Sequence, residues 1–424
     1  MWWRFWQDAR RRWSAHAGLH LEDGRFVPFS LFQGDLVNRV FAVIGIGSRG
    51  SRDLALRSAV LIAVTWVPMA CLAPLDGLVS LKIDGENFFA DFAAYAQFLI
   101  GLPLFVLAEA VISRNTRDAG HQFLTTDIVR PEDRASVLAV HAKLARLRRS
   151  FLPDLVCLLI AAALTWAIYN AELGFGVEKS TWHTTLGAHG RVFTKAGAWE
   201  FYVALPLQMY WWLRIIWKIG LWYYYLRSVA RLRLDLRASH PDLTGGIGFI
   251  SAVQAKFSLV ILAYGISNVA ATVGYKIAIE KATLDMPPVW GPIVGFTIGA
   301  PLLFILPLLL FTHQLRQAKE RALRRYREMA MDQVRATELL LARKDSRQRR
   351  SELKSAFVEA GGVWKMFEQT QKMRVVPFDL QSMSQLIGST VGSLSTILPL
   401  LNVSGTLPKW LEVVAKFFQM LTGK

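Results

Sequence analysis

Six runs of about twenty apolar residues dominate the 424-residue chain: 55–75, 92–112, 151–171, 199–221, 257–279 and 289–312. A helix of that length crosses the ~30 Å hydrocarbon layer of a bilayer. Hydrocarbon offers backbone N–H and C=O groups no partners, so each run is predicted to be helical throughout. Prolines fall inside them, among them Pro68, Pro103, Pro206, Pro301 and Pro307. Membrane helices accept proline where neighbouring elements re-satisfy the freed carbonyls. The predicted fold class is therefore an all-α membrane protein with about six spans and helical extensions outside the membrane. Composition agrees. Only 19% of residues are charged, against about a quarter in soluble chains, and 15 are tryptophan, which favours the membrane interface.

Lys and Arg set the predicted orientation. The segments between runs hold them in strict alternation: 8 in 1–54, 1 in 76–91, 8 in 113–150, 3 in 174–197, 4 in 227–245, 1 in 280–288 and 19 in 313–424. Basic segments stay on the cytoplasmic side, which places both termini inside a bacterial-type inner membrane. A seventh stretch, 386–403, carries no charge but is rich in Ser, Thr and Gly. It reads equally as a short span, a re-entrant segment or a helix packed inside an assembly.

The organisation that follows has four parts. Residues 1–54 form a cytoplasmic segment whose first 17 residues alternate Trp, Phe and Arg, as in a helix lying on the inner leaflet. They lack the apolar core and cleavage site of a signal peptide. Residues 55–312 form the membrane domain, with 113–150 as a cytoplasmic hairpin broken at Pro131. Residues 313–374, with 16 Lys/Arg against 8 Asp/Glu, read as long basic cytoplasmic helices with a loose apolar stripe through Leu315, Ala322, Tyr326, Met329 and Val334. Residues 375–424 hold the Ser/Thr/Gly-rich stretch and an amphipathic tail.

The formal charge is +17. The positive-inside bias accounts for much of it, and the remainder points to anionic partners such as phospholipid headgroups, nucleotides or oligonucleotides. No duplex DNA readout is expected. GIGSRG at 45–50 matches GxGxxG literally, but a dinucleotide site needs that loop between a strand and a helix, and a linker is the reading preferred. His183 and His189 share an outer loop without the third and fourth ligands a metal site needs. Cys71 and Cys157 both lie in apolar runs and read as packing residues. No catalytic constellation is visible, and neither enzyme activity nor a cofactor or metal is expected.

Charged and polar residues inside apolar runs carry the functional expectation. Arg214 and Lys218 share a helix face, and Lys256 opens the fifth run. Arg214 lies ~22 Å from the start of its run at 1.5 Å per residue, so snorkelling to the interface is the preferred reading. A ring of charge around an oligomeric pore is the alternative. Asn268 and Thr272 lie on a polar stripe with Gly265 and Lys276. Ser389, Ser393 and Thr396 form another beside Gly388 and Gly392. Both stripes are lining candidates, the second if its segment crosses, while interhelical hydrogen bonding is the preferred reading of the first. Gly291, Gly295 and Gly299 recur every four residues, as at a close helix contact. The string HPDLTGGIGF contributes His240, Pro241, Asp242, Gly245 and Gly246. It reads first as a tight turn and second as a phosphate-binding helix start.

That string carries a resemblance. With RSAVLIAVTWVP (57–68), FLIGLPLFVLAE (98–109), PEDRASV (131–137), LRLDLRASHPDLTGGIGF (232–249), PLLLF (307–311) and MRVVPFDL (373–380), the chain resembles uncharacterised bacterial polytopic inner-membrane proteins with an HPDxxGGxGF-type motif. Membrane effectors of anti-phage nucleotide-signalling systems are a more distant likeness. The polar faces, the Gly-spaced face and the surplus of Lys and Arg in 313–374 point to a homo-oligomeric channel or pore whose basic cytoplasmic face binds an anionic nucleotide or oligonucleotide, and the likeness adds only the signalling setting. A secondary transporter of a small solute and a membrane scaffold presenting basic helices to a partner are the alternatives.

Overall fold

The computed structural model describes residues 31–398, apart from 33, 48–49, 77–86, 176–180, 188–189, 279–285 and 343–347. The N-terminal aromatic–arginine segment, His189 and the tail beyond 398 lie outside the described residues.

Five helices are long and apolar enough to cross a membrane: Ser51–Asp76, Phe92–Thr125, Leu152–Asn170, Phe249–Ile277 and Pro287–Leu339. They occupy five of the six predicted runs. The sixth run, 199–221, is also helical, but its charged and aromatic residues make it less apolar than the others, and Arg214 and Lys218 are buried inside the protein.

A short helix, α1 (Leu36–Val43), precedes α2 (Ser51–Leu72). A π-helical stretch, Tyr95–Gly101, leads into α3 (Leu102–Thr125). A 3-10 turn at Pro131–Asp133 opens α4 (Arg134–Arg149), and α5 (Leu152–Phe175) follows. One departure from an all-helical chain comes next: β1 (Thr184–Gly187) pairs antiparallel with β2 (Gly190–Phe193), Thr184 opposite Phe193. The chain then enters α6 (Leu205–Val229) through Lys195–Trp199 and a π-helical turn, Glu200–Ala204. α7 (Phe249–Lys256), α8 (Ser258–Tyr264), a third π-helical stretch (Gly265–Ala270) and α9 (Ala271–Ala278) run as one broken helix. α10 (Pro287–Ile305) tightens to 3-10 geometry over Leu306–Phe311 and continues as α11 (Thr312–Ala342). α12 (Gln348–Lys372) folds back on α11, and α13 (Leu380–Leu394) ends the described chain with a 3-10 turn, Ser395–Ile397.

In the packing, α2 lies on α3, α5 on α6, and α8 between α3 and α13. The π-helical stretches meet where glycine allows it: a Cβ on Gly101 would collide with the Ser267 side chain, and one on Gly265 with Ser393. Freed carbonyls find donors on neighbouring helices, as hydrocarbon requires. Pro307 has no N–H for the Leu303 carbonyl, and the Tyr223 hydroxyl donates to it instead. The 3-10 tightening releases the Phe304 carbonyl, which accepts from Gln254 Nε2 at 2.7 Å. Gln254 Oε1 in turn accepts from Trp222 Nε1 at 2.9 Å. On α5, Leu158, Leu159, Ile160, Leu164 and Trp166 face outward, a surface suited to an apolar solvent.

The seventh stretch begins as α13, at 15 residues short of a span. It packs against α8 and α10, and its hydroxyls turn back on their own helix. Thr390 Oγ1 donates to Leu386 O at 3.0 Å, Ser393 Oγ to Thr390 O at 2.7 Å and Thr396 Oγ1 to Ser393 O at 2.7 Å.

The HPDLTGGIGF string is a turn built around one carboxylate. Asp242 accepts from the backbone N–H groups of Thr244 (2.9 Å), Gly246 (3.1 Å) and Gly248 (2.9 Å), and lies 2.8 Å from His240 Nδ1. These donors hold its carboxyl near 2 although burial opposes ionisation. Asp242 thus takes the N–H groups that a phosphate would need, which removes the anion-binding reading of this helix start. Gly245 and Gly246 adopt φ of +70° and +98°, a left-handed conformation costly for any residue with a Cβ. The turn also joins distant segments. Asp235 N donates to Ile128 O at 2.7 Å, Arg237 N to Gly245 O at 3.2 Å and Arg374 N to Leu243 O at 2.7 Å. Three of the strings behind the resemblance are thereby close in sequence or space to one junction, where α3–α4, α6–α7 and α12–α13 connect.

Two predictions follow from this architecture. G245A and G246A should each lower stability by about 1–2 kcal/mol, seen as a reduced melting temperature in detergent, with G245A the worse because Leu236 and Met373 crowd that position. His141 of α4 packs on Tyr225, and burial lowers its pKa from 6.5 to about 4. Its protonation therefore favours unfolding. Stability should be unaffected by this group above pH 6.5 and fall as pH drops from there toward 4, approaching roughly 3 kcal/mol. Melts of H141Q should lack that part of the slope.

A buried ion network and basic cavity as the candidate functional site

Residues 31–43 belong to the bundle, not to a surface segment. Leu31, Phe32, Val37 and Phe41 are buried among the helices. Asp35 caps α1 by accepting from Asn38 N at 3.1 Å, a standard role for aspartate before a helix. Here the same carboxylate also faces α6. Arg214 donates to Asp35 Oδ2 from Nη2 at 2.6 Å and from Nε at 3.1 Å. It also donates to Glu109 of α3, from Nη1 to Oε2 at 2.7 Å and from Nη2 to Oε1 at 3.1 Å. Lys218 Nζ stands 3.1 Å from Asp35 Oδ2, and Arg57 Nη1 of α2 lies 4.0 Å from Glu109 Oε1. Asn38 Nδ2 bridges the carboxylates, donating to Asp35 Oδ1 at 2.9 Å and Glu109 Oε1 at 3.2 Å. A neighbouring bond runs from the Tyr210 hydroxyl to Asp154 Oδ1 of α5 at 3.0 Å.

The network is deeply enclosed. Arg214 is 0% exposed, Asp35 0%, Lys218 2% and Arg57 3%. Two aromatic rings flank the Arg214 guanidinium, Trp211 at 5.5 Å and Phe32 at 5.6 Å, and Phe41 lies 4.8 Å from that of Arg57. Burial alone would raise the pKa of Asp35, but Arg214 and Lys218 outweigh it and hold the carboxyl well below the usual range. With Asp154 counted, three cations face three carboxylates. Such near-neutral matching is what permits charge in a low-dielectric interior.

Arg57, Glu109 and Asn38 also line a cavity of about 280 Å³, with Ser113, Arg114 and Arg117 completing its polar wall. The Asn38 Oδ1 is buried there without a donor among the described residues. A cavity of this size suits an ion or a single phosphate-sized group, being below the range of drug-sized pockets.

The other predicted residues fall elsewhere. Arg214 and Lys218 do not snorkel; internal carboxylates hold them. Lys256 is half-buried at the end of α7. Asn268 donates to Ser267 Oγ at 2.8 Å, whereas Thr272 on the same stripe is exposed. Ser393 is buried against Gly265, while Ser389 and Thr396 are half-buried. Gly291, Gly295 and Gly299 have open space where a Cβ would stand, so their smooth face meets no helix of the described chain. In the GIGSRG segment the Gly47 carbonyl accepts from Arg57 Nε at 2.6 Å, which makes this linker part of the network's support. His183 is stacked on Trp182 and 2.5 Å from Glu200 Oε2, in a second polar knot where Trp182 Nε1 donates to Asp91 Oδ2 at 2.9 Å. Burial raises the pKa of Asp91.

Sequence reasoning identified Arg214 and Lys218 but missed Asp35, Arg57 and Glu109. The available signal was Glu109 itself, a lone carboxylate well inside an apolar run, which demands a buried cation.

Replacing Arg214 by methionine should destabilise the protein by about 3–5 kcal/mol, because Asp35 and Glu109 would stay buried with only Lys218 and the more distant Arg57 as counter-charges. R214K should recover little of that, since lysine cannot form the two-sided fork. Pairing R214M with E109Q, which leaves two cations facing two carboxylates, should restore part of the loss, and thermal melts of the set in detergent measure all three effects.

Comparison with protein-family models, with curated proteins and with solved structures finds no match for this chain.

Proposed function

We propose that the protein is an inner-membrane carrier for a small anion, bound in the cavity between Asn38, Arg57, Ser113, Arg114 and Arg117. In this reading α6 is a sixth crossing helix, and the ends rich in Arg face the cytoplasm. The observation that carries it is the double membership of Arg57 and Glu109. Both line the cavity and both belong to the network that ties α1, α2, α3 and α6 together. An anion entering the cavity competes with Glu109 for the guanidinium groups. Binding is thereby coupled to helix packing, the coupling that alternating access requires. The π-helical stretches that lead into α3 and α6, the helices that carry Glu109 and Arg214, favour a carrier as well, since interrupted helices characterise such proteins.

The second reading is a homo-oligomeric channel gated by an anionic nucleotide. The open Gly291–Gly295–Gly299 face favours it as a contact between copies. The cavity is too small for an oligonucleotide but accepts one phosphate group of a nucleotide.

Liposomes containing the full chain should take up radiolabelled inorganic phosphate in a saturable manner. R117Q and R114Q should each reduce the initial rate about tenfold or more, the worth of one charge-assisted bond. Unitary current steps in planar bilayers would replace the carrier by the channel. Absence of both flux and current, with no thermal stabilisation by phosphate, would remove both readings.

A further inference from the structure

A second cavity, of about 450 Å³, lies on the opposite side of α6 from the ion network. It is a groove between α6, α8 and α10, closed by Phe105 of α3, and its lining is aliphatic and aromatic, with Trp212 and Tyr264 among the aromatic residues. Ile216, Ile219, Val260, Tyr264, Gly299 and Leu303 form its walls. Ile216 and Leu303 are 47% and 46% exposed, so the groove opens outward along the crossing helices. Gly295 and Gly299 contribute no side chain, and a Cβ on either would meet nothing. An apolar groove at this depth is filled by hydrocarbon rather than water.

The groove has a charged end. Along α6 the positions 212, 216, 219, 223 and 227 share one face, so the stripe Trp212, Ile216, Ile219, Tyr223 ends at Arg227, which is exposed. Lys256 ends α7 just before α8 and its groove residues Val260 and Tyr264, two residues from Gln254, which accepts from Trp222 of α6, and it is half-buried. α6 runs toward this end and α8 away from it, so both cations belong to the same end of the groove. Tyr223 sits between them and the apolar wall, its hydroxyl fixed on Leu303 O.

We propose that this groove is a binding site for an anionic phospholipid, with one acyl chain along α6, α8 and α10 and the headgroup phosphate at Arg227 and Lys256. The volume accommodates on the order of fifteen water-sized groups, in keeping with a single lipid tail. The two cations supply the headgroup preference, as basic residues at helix ends do toward anionic lipid. This site shares no residue with the Arg57–Arg214 network, and it stands or falls independently of anion transport.

The test uses the full chain released from bilayers of palmitoyl-oleoyl phosphatidylglycerol and palmitoyl-oleoyl phosphatidylcholine in equal amounts and read by native mass spectrometry. The expected result is one retained lipid per protomer, with phosphatidylglycerol preferred about tenfold or more. The double change R227Q/K256Q should bring that preference close to unity without lowering the melting temperature of the lipid-free protein. G299L, which fills open space and leaves the packed core alone, should reduce retention of both lipids. Equal retention of the two lipids by the unaltered chain would overturn the proposal, as would a preference that survives R227Q/K256Q. A lipid-free dimer that G299L dissociates would also overturn it, and would assign the groove to a second copy of the chain.

Discussion

The structure depends on a guanidinium that cannot be left alone. Arg214 lies fully buried in a bundle whose neighbouring helices are built for hydrocarbon, and an isolated charge there would cost many kcal/mol. Asp35 and Glu109 remove that cost from two sides, and each comes from a different part of the chain. Asp35 brings α1 into the bundle; Glu109 fixes α3. Once both carboxylates are inside, Arg57 and Lys218 are needed as further counter-charges, and Asn38 as the donor that keeps the carboxylates apart. Ion pairs of this kind add little net stability compared with well-packed apolar residues. Their persistence here is better understood as specifying one arrangement of α1, α2, α3 and α6, and as placing charge beside a cavity.

The backbone obeys a parallel constraint. Proline and π-helical turns in α10 and in the approaches to α3 and α6 leave carbonyls that hydrocarbon cannot solvate. The two freed at Leu303 and Phe304 are met by Tyr223 and Gln254, side chains on helices far away in sequence. The Asp242 turn solves the same problem outside the apolar region, where one carboxylate satisfies the three alternate loop amides of Thr244, Gly246 and Gly248 and keeps the connection between α6 and α7 compact. Conserving hydrogen bonds, more than maximising apolar contact, accounts for the positions of these polar residues.

Much of this was legible in the sequence and much was not. The apolar runs mark the long helices because hydrocarbon thickness acts directly on local composition. The turn at 240–248 was readable from His-Pro and Gly-Gly, since left-handed backbone selects glycine locally. The ion network was only half readable. Arg214 and Lys218 declare themselves as charges in an apolar run, but Asp35 lies 179 residues away from Arg214 and Glu109 lies 105 away, and no local pattern encodes such pairings. In the Ser389–Ser393–Thr396 stripe the Ser393 and Thr396 hydroxyls bond to carbonyls of their own helix, and the small Ser393 side chain lies close against Gly265, a pairing that local sequence does not encode.

The distribution of charge around α6 gives that helix a particular position in the molecule. One face carries Arg214 and Lys218 into the network; another carries Trp212, Ile216 and Ile219 into the apolar groove and ends at Arg227. A rotation of α6 by a few tens of degrees would present buried charge to hydrocarbon on one side and close the groove on the other. The helix is therefore held between two well-separated alternatives rather than free to roll. An anion that loosened the grip of Glu109 on Arg214 would act on one of the contacts that prevent such a movement, and, of the carboxylates that hold α6, Glu109 is the one that also lines the cavity.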